Sequence, residues 1–440
     1  MNGLLSLLVT FLCAMALVAQ LPDENSTGAR RARLASALRQ EWEYRLRANP
    51  EMATAVGDNR YNDRLGDYTP EFFAEQVQHA QQALKLFESI ETAGFPEQER
   101  LSRDLMIRDL QEQIEGARFK DWEMPVDQMN GIHLALAALP SGTTFRTAKD
   151  YEDYLARLHQ IPRVIQQSIA NMQAGLSEHL VPPRYLLEKA GLQAHDIAGK
   201  PLEQSPFSRP VYNFPAGISE AERKLLRDAV QAAVRQEVTP AYARLAEFLR
   251  TQYAPHGRTE YGVWALPGGD ARYRFYIKQM TTTEMAPEEI HQMGLKQAAQ
   301  IESEMLTLAR RQGYDDLSTF NDHIRNDPHL YGTSGEQLLG LYQHYTDQMY
   351  AKLPQLAGHL PKTRLEVIPM EAFRAADSVP ADYSIGAGDG SRPGRINVNE
   401  YDPRHRLLLN VEAIAYHEGI PGHHLQFSIA QEQGGLPDFR

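Results

Sequence analysis

The stretch Tyr416-His417-Glu418-Gly419-Ile420-Pro421-Gly422-His423-His424-Leu425-Gln426 constrains this chain more than any other. Two imidazoles on one helix face, with a glutamate beside the first, are what a helix needs to hold a metal and activate a water. His417 and Glu418 open that arrangement. Four residues after His417, however, stands Pro421, and the next histidines are His423 and His424. Pro421 has no N–H for the carbonyl of His417, and its ring crowds that carbonyl. Gly422 adds backbone freedom. A helix running through His417 is therefore expected to bulge or break between Gly419 and Gly422. In an unbroken helix His423 lies ~600° round and ~9 Å along from His417, on a different face. A bulge that absorbs two residues brings it back beside His417. His424 returns to the right face of a straight helix but ~10.5 Å along, too far to share one ion. His423 is the preferred second ligand and His424 the alternative. Asn410 is the expected cap of this helix, and Val411, Ala413, Ile414 and Ala415 predict that it is buried. A buried His-Glu pair needs partners, because burying both polar groups unpaired costs a few kcal/mol.

The rest of the sequence sets bounds on what surrounds the motif. A chain of 440 residues can bury a large core. Its net charge of −12 argues against a nucleic-acid binder, which would show a basic stripe. Leu4 to Ala19 is an uncharged apolar run, short for a membrane span and right for a secretory h-region. Ala14-Met15-Ala16 offers a small-x-small cleavage site. Residues 1–20 are read as a signal peptide or anchor and 21–31 as a flexible leader. The expected location is exported, periplasmic or extracellular, with membrane contact only through an uncleaved or lipidated N-terminus. The single cysteine, Cys13, lies in the apolar run behind Thr10-Phe11-Leu12, a poor lipoprotein box. Removal of the run leaves no thiol, so a metal must be held by histidines and carboxylates.

From residue 32 the pattern is mostly helical. Leu34, Leu38, Trp42 and Leu46 recur at near-helical spacing. Helices are expected at about Pro70–Ile90, Glu97–Ala117, Ala148–Leu176, Ser219–Gln252, Pro287–Gln312 and Ser334–Leu353. Thr69-Pro70 provides a cap and a first-turn proline, and Glu288 and Glu289 put acids in a first turn. Two regions read as strands. Tyr261 to Met280 reads as a strand pair around Pro267-Gly268-Gly269-Asp270. Leu365 to Ile368, Asp382 to Ile385 and Arg395 to Asn399 read as a small sheet before the motif helix, the last alternating as an exposed edge strand does. No linker divides 32–440, which is taken as one mainly α domain with that sheet.

Asp389-Gly390-Ser391-Arg392-Pro393-Gly394, Val398-Asn399 and Ala415 to Gln426, with Thr283 to His291 upstream, resemble the bacterial "domain of unknown function 885" family, commonly exported and often lipid-anchored. That family is similar to zincin metallopeptidases of the gluzincin type, so the resemblance implies a large helical, oligopeptidase-like domain with a deep cleft. It implies a Zn2+ cofactor held by His417 and His423, with Glu418 as general base, and a short peptide as substrate. It further implies that Arg395 to Asn399, with Asn397 and Asn399, pairs with substrate backbone. Arg392 is the candidate for a substrate carboxylate and Tyr383 for oxyanion contact. The third gluzincin ligand is a glutamate on a later helix. The only later glutamate here, Glu432, lies ~20 Å along a continued helix. The expectation is a C-terminally truncated chain that lacks its third ligand and holds zinc weakly. Two other readings carry the same motif: an exported peptide-binding protein without catalysis, and a metal-dependent amidase acting on cell-wall material.

Overall fold

The computed structural model describes residues 25–440. The expected signal or anchor segment, and the leader as far as residue 24, lie outside the described residues. The end of the expected leader is helical, because α1 (Thr27–Ala48) begins inside it. Arg30 donates to the Glu91 carbonyl at 2.7 Å and Arg31 Nε donates to Glu99 at 2.8 Å, and these bonds tie down its first turn.

Where the sequence reading takes 32–440 as one domain, the chain separates into two compact units. The smaller holds residues 25–44, 78–113 and 435–440. The larger holds 45–77 and 114–434 and contains every candidate site residue. Along the chain α1 is followed by α2 (Pro50–Val56), α3 (Pro70–Glu88), α4 (Glu97–Ala117), α5 (Ile132–Gly142) and α6 (Ala148–Glu178). Next come α7 (Arg184–Gly199), α8 (Glu220–Ala233), α9 (Thr239–Phe248), α10 (Gly269–Thr281), α11 (Pro287–Arg311), α12 (Leu317–Asn326) and α13 (Gly335–Leu356). Then β1 (Glu366–Pro369), α14 (Ala372–Ala375), β2 (Ala381–Ser384), β3 (Arg395–Val398), α15 (Val411–Glu418) and α16 (His423–Glu432) complete it. The fold is mainly α with one three-stranded sheet, as the sequence predicts.

The helical boundaries follow local chemistry. Thr69 Oγ1 accepts from the Phe72 N–H at 3.2 Å, the expected cap of α3. Ser219 and Glu222 close a capping box at the start of α8. The expected helix from 219 to 252 is one continuous run that contains two wide π turns, Val234–Val238 and Leu249–Tyr253. Pro240 follows the first. A proline cannot donate to the ladder, and a wide turn re-spaces the bonds around it. The main core of the larger unit packs α6, α7, α8 and α9 around Leu158, Ile161, Leu187, Tyr242 and Leu245.

Tyr261 to Met280 is not a strand pair. Val263–Ala265 forms a short 3-10 turn and Gly269 opens α10. The aromatic alternation is real, but the buried residues of α10 include Arg272 and Phe275, three apart, a helical interval. Arg272 is almost wholly enclosed because it bonds the Asp121 carboxylate and donates to the Phe119 carbonyl at 2.5 Å. Those partners lie about 150 residues earlier in the chain, outside any local window.

The sheet has the order β1-β3-β2, with β1 parallel and β2 antiparallel to β3. The strand expected at the edge is thus the central one. Its alternation distinguishes two faces, not a wet and a dry edge. Ile396 and Val398 point to a core made with Leu338 and Tyr342 of α13 and Val411 and Ala415 of α15. Arg395 and Asn397 point the other way.

Candidate metal centre

The site is built at the junction of α15 and α16, against the β2 side of the sheet. α15 stops at Glu418, and Gly419 to Gly422 form the expected break before α16 starts at His423. The hydrogen bonds show how it is made. The Gly419 N–H still bonds the Ala415 carbonyl at 2.9 Å in helical register. The Gly422 N–H reaches back six residues to the Tyr416 carbonyl at 3.0 Å, and the His424 N–H bonds Gly419 at 3.0 Å. The Ile420-Pro421 peptide is cis. A Cβ on Gly422 would collide with the His417 carbonyl oxygen, and one on Gly419 would meet the Ala415 carbonyl at 2.7 Å. Both glycines are required by backbone approach.

Two features of α15 differ from expectation. Asn410 makes no side-chain cap bond, because a 3-10 turn, Leu408–Asn410, feeds directly into the helix with Asn410 already in helical conformation. The helix is also not fully buried. Val411 and Ala415 face the sheet core, while Glu412, Ala413 and His417 are exposed.

The break brings His423 to His417. Their ring centroids lie 4.9 Å apart, nearly perpendicular at 82°. Glu418 Oε2 is 3.9 Å from His423 Nε2. One ligand atom from each of His417, Glu418 and His423 can be chosen so that all lie within 4.8 Å of one another. Among the described residues no other group of histidine, cysteine and carboxylate side chains converges in this way. Two imidazole nitrogens and a carboxylate oxygen form a donor set that zinc accepts. Ligands about 2.1 Å from one tetrahedral ion lie roughly 3.4 Å apart, inside the 4.8 Å within which these three atoms gather. The residues present fit such an ion.

Burial raises the Glu418 carboxyl above the ordinary carboxylate range. The charges of His423 and His417 oppose that shift and Asp382 adds to it. The Tyr383 backbone N–H, aimed at the Glu418 carboxylate, lowers it slightly. Tyr383 lies on β2 with its ring stacked 6.1 Å from His423 and 5.9 Å from Phe427. Burial pushes its hydroxyl up to about 12, so it is a neutral donor at ordinary pH.

The remaining predicted site residues go elsewhere. His424, the alternative ligand, is completely buried and turned away from the cluster. Its Nε2 lies 3.1 Å from the Thr363 carbonyl and its Nδ1 3.2 Å from the Tyr383 hydroxyl. It packs the start of α16 and leaves His423 as the second imidazole. Asn399 is also structural. Its Nδ2 donates to the carbonyls of Ala375, Ser378 and Val379, and its Oδ1 accepts from the Tyr401 N–H. Asn397 is nearly buried and bonds Asp382 and Ser384 on the sheet face away from the cluster. Arg392 donates its two terminal nitrogens to the carbonyls of Ile385 and Ala55, so neither is free to clasp a carboxylate directly. Glu432 accepts from the Lys362 N–H at 2.7 Å and lies 3.2 Å from His359.

Three residues at the site went unrecognised in the sequence. Asp382 raises Glu418 from the neighbouring strand; the alternation Asp382-Tyr383-Ser384 could have flagged it. Phe427 is one helical turn after His423 and stacks on Tyr383. Gly394 lies so close that a Cβ there would strike the Tyr383 hydroxyl and meet His424 Nδ1 at 2.7 Å.

Fold and site together define a mainly helical protein that carries a His-Glu-His cluster at a broken helix beside a three-stranded sheet. The chain belongs to the family described as bacterial protein of unknown function (DUF885), whose model matches residues 50–440. The chain is similar in fold to a crystal structure described as "the putative lipoprotein from Colwellia psychrerythraea". That match has a TM-score of 0.84 and 22% identity, and covers 93% of this chain and 74% of that one. It is also similar to "a putative lipoprotein of unknown function" from Shewanella oneidensis, with a TM-score of 0.58 and 16% identity, covering 92% of this chain and 73% of that one. A search among curated proteins finds no match.

Proposed function

We propose that this chain is a metal-dependent hydrolase of peptide bonds in short peptides, with zinc held by His417 and His423 and Glu418 as general base. The observation that supports this reading is the convergence of those three side chains within 4.8 Å across a helix break. A metal bound there supplies Lewis acidity toward a water and a carbonyl. Glu418 takes a proton from the attacking water and returns it to the leaving amine. Burial raises its proton affinity, the direction a group that both takes and returns a proton requires. Tyr383 stacks beside His423 and holds that ring, while its own hydroxyl donates to His424 Nδ1 and is not directed at the cluster.

The strand that receives substrate is β2. β3 has partners on both sides, whereas β2 pairs only with β3 among the described residues. Its Tyr383 N–H faces Glu418. A peptide added to this edge runs past the general base. If Glu418 serves as base, this cluster offers only its two imidazoles as ligands among the described residues, and zinc is expected to be lost on dialysis. The chain is read as exported, periplasmic or extracellular. The apolar run 4–19 supports this, as does the description of both structural relatives as a "putative lipoprotein". No described helix is long and apolar enough to cross a membrane.

The test combines metal analysis with cleavage of a mixed set of short peptides. Zinc-dependent cleavage that stops in Glu418→Gln supports the reading. Cleavage indifferent to both a chelator and Glu418→Gln sinks it.

A further inference from the structure

The sheet has a second populated face. Asp382, Ser384, Arg395 and Asn397 point away from the His-Glu-His cluster and line a cavity of about 840 Å³, within the range of small-ligand sites. The same cavity is lined by Arg209, from a 3-10 stretch (Pro206–Tyr212), and by Arg392.

We propose that this cavity is a carboxylate subsite, in which Arg209 and Arg395 receive the free C-terminus of a short peptide whose backbone lies along β2, with the charge of Arg392 beside them. The inference rests on the hydrolase reading for what happens to the peptide, and on the cavity alone for its binding.

The charge balance carries the argument. The cavity holds two carboxylates, Glu371 and Asp382, and Arg374 bridges both. Asp382 is further occupied by Asn397 Nδ2 at 2.6 Å. Arg395 pairs with Glu366 at 3.0 Å, half-buried at the sheet face. Two guanidiniums are left without a hydrogen-bonded carboxylate. Arg209 is exposed and has no hydrogen bond or ion pair among the described residues. Arg392 is only 8% exposed, and its hydrogen bonds go to two neutral carbonyls, with the Asp389 carboxylate acting on it only through charge. Buried charges are ordinarily paired. Burial and the nearby positive charge of Arg395 weaken proton binding at Arg392, against the opposing pull of Tyr383 and Asp389. An anion settling between these groups relieves that repulsion.

Geometry links the cavity to the cluster. Side chains alternate along β2, so Tyr383 faces His423 while Asp382 and Ser384 face the cavity. A peptide on the β2 edge has one part beside Glu418 and can turn its end round the strand. Arg209 and Arg395 present the free donors, and Arg392 contributes charge. A bidentate guanidinium clasp favours a carboxylate over an uncharged amide.

Calorimetry on the full chain, with EDTA present, compares an acetylated tetrapeptide as the free acid with the same peptide as C-terminal amide. The acid is expected to bind at least about tenfold more tightly, the scale of one charge-assisted pair, and to lose that advantage as salt rises. Arg209→Gln breaks no structural bond and should remove most of the preference. Arg395→Gln should do the same, with circular dichroism confirming the fold. Equal affinity for acid and amide, or no binding of the acid at millimolar concentration, overturns the subsite. An acid preference that survives in a protein without metal-dependent cleavage keeps the subsite and sinks the hydrolase reading. Cleavage without acid preference does the reverse.

Discussion

The helical core around His133 and the break between α15 and α16 treat histidine in opposite ways. His133, in α5, is fully enclosed, and its Nε2 lies 2.9 Å from the Gln193 side-chain oxygen. Burial holds its pKa below the usual value, and no carboxylate is within ion-pair distance. At the break, His417 and His423 stay partly in water and converge on Glu418. His424, adjacent to His423, belongs with His133: it is buried and bonded to neutral groups. A histidine's company and access, not its place in a motif, separate a packing residue from a candidate ligand.

Four substitutions can break or sharpen that contrast. The largest effect is expected for Glu418→Gln, which should lower kcat by at least about 100-fold, the usual scale of a lost general base. Thermal denaturation should barely change. Next comes Gly422→Ala. Its methyl collides with the His417 carbonyl, and the variant should lose about 2–3 kcal/mol in urea unfolding together with any zinc affinity. The adjacent histidines should then part company. His423→Ala should abolish zinc binding in a titration with little loss of stability, whereas His424→Ala should cost about 1–2 kcal/mol of stability through lost buried hydrogen bonds. Similar outcomes for the pair would erase the distinction drawn between them.

The smallest effect concerns pH. His133 is buried neutral, so its folded pKa lies below its unfolded value of about 6.5. The stability it contributes is complete above that pH and is lost as pH falls through the lowered folded value. Urea midpoints should therefore drop between pH 7.5 and 5.5 in the native protein, and His133→Gln should make that drop shallower. An unchanged slope would mean that His133 does not stay neutral on folding.

The local parts of the fold were legible in the sequence. Helical periodicity gave α4 from Glu97 to Ala117, and the Pro421-Gly422 pair implied the break, because missing donors and missing Cβ atoms act within a few residues. The order of the strands was not legible. Alternation in Arg395 to Asn399 reports two faces but is silent on how many neighbours a strand has, so a central strand read as an edge. Arg272, Arg392 and Asn399 were opaque for a related reason: their partners sit far along the chain or on turns whose path no spacing predicts. The sequence leaves His424 open as the alternative to His423 because spacing alone does not show that the bulge that moves one imidazole toward the cluster turns the next one inward.

The break also divides the hydrogen-bond ladder. α15 has eight residues and α16 ten, each shorter than a helix that persists alone in water. Across Gly419 to Gly422 their backbones are tied only by out-of-register bonds such as that from the Gly422 N–H to the Tyr416 carbonyl. An ion gripped by His417 and His423 would be the rivet between two short rods, and its arrival should register as slowed amide exchange at both facing ends, even in a protein that cleaves nothing.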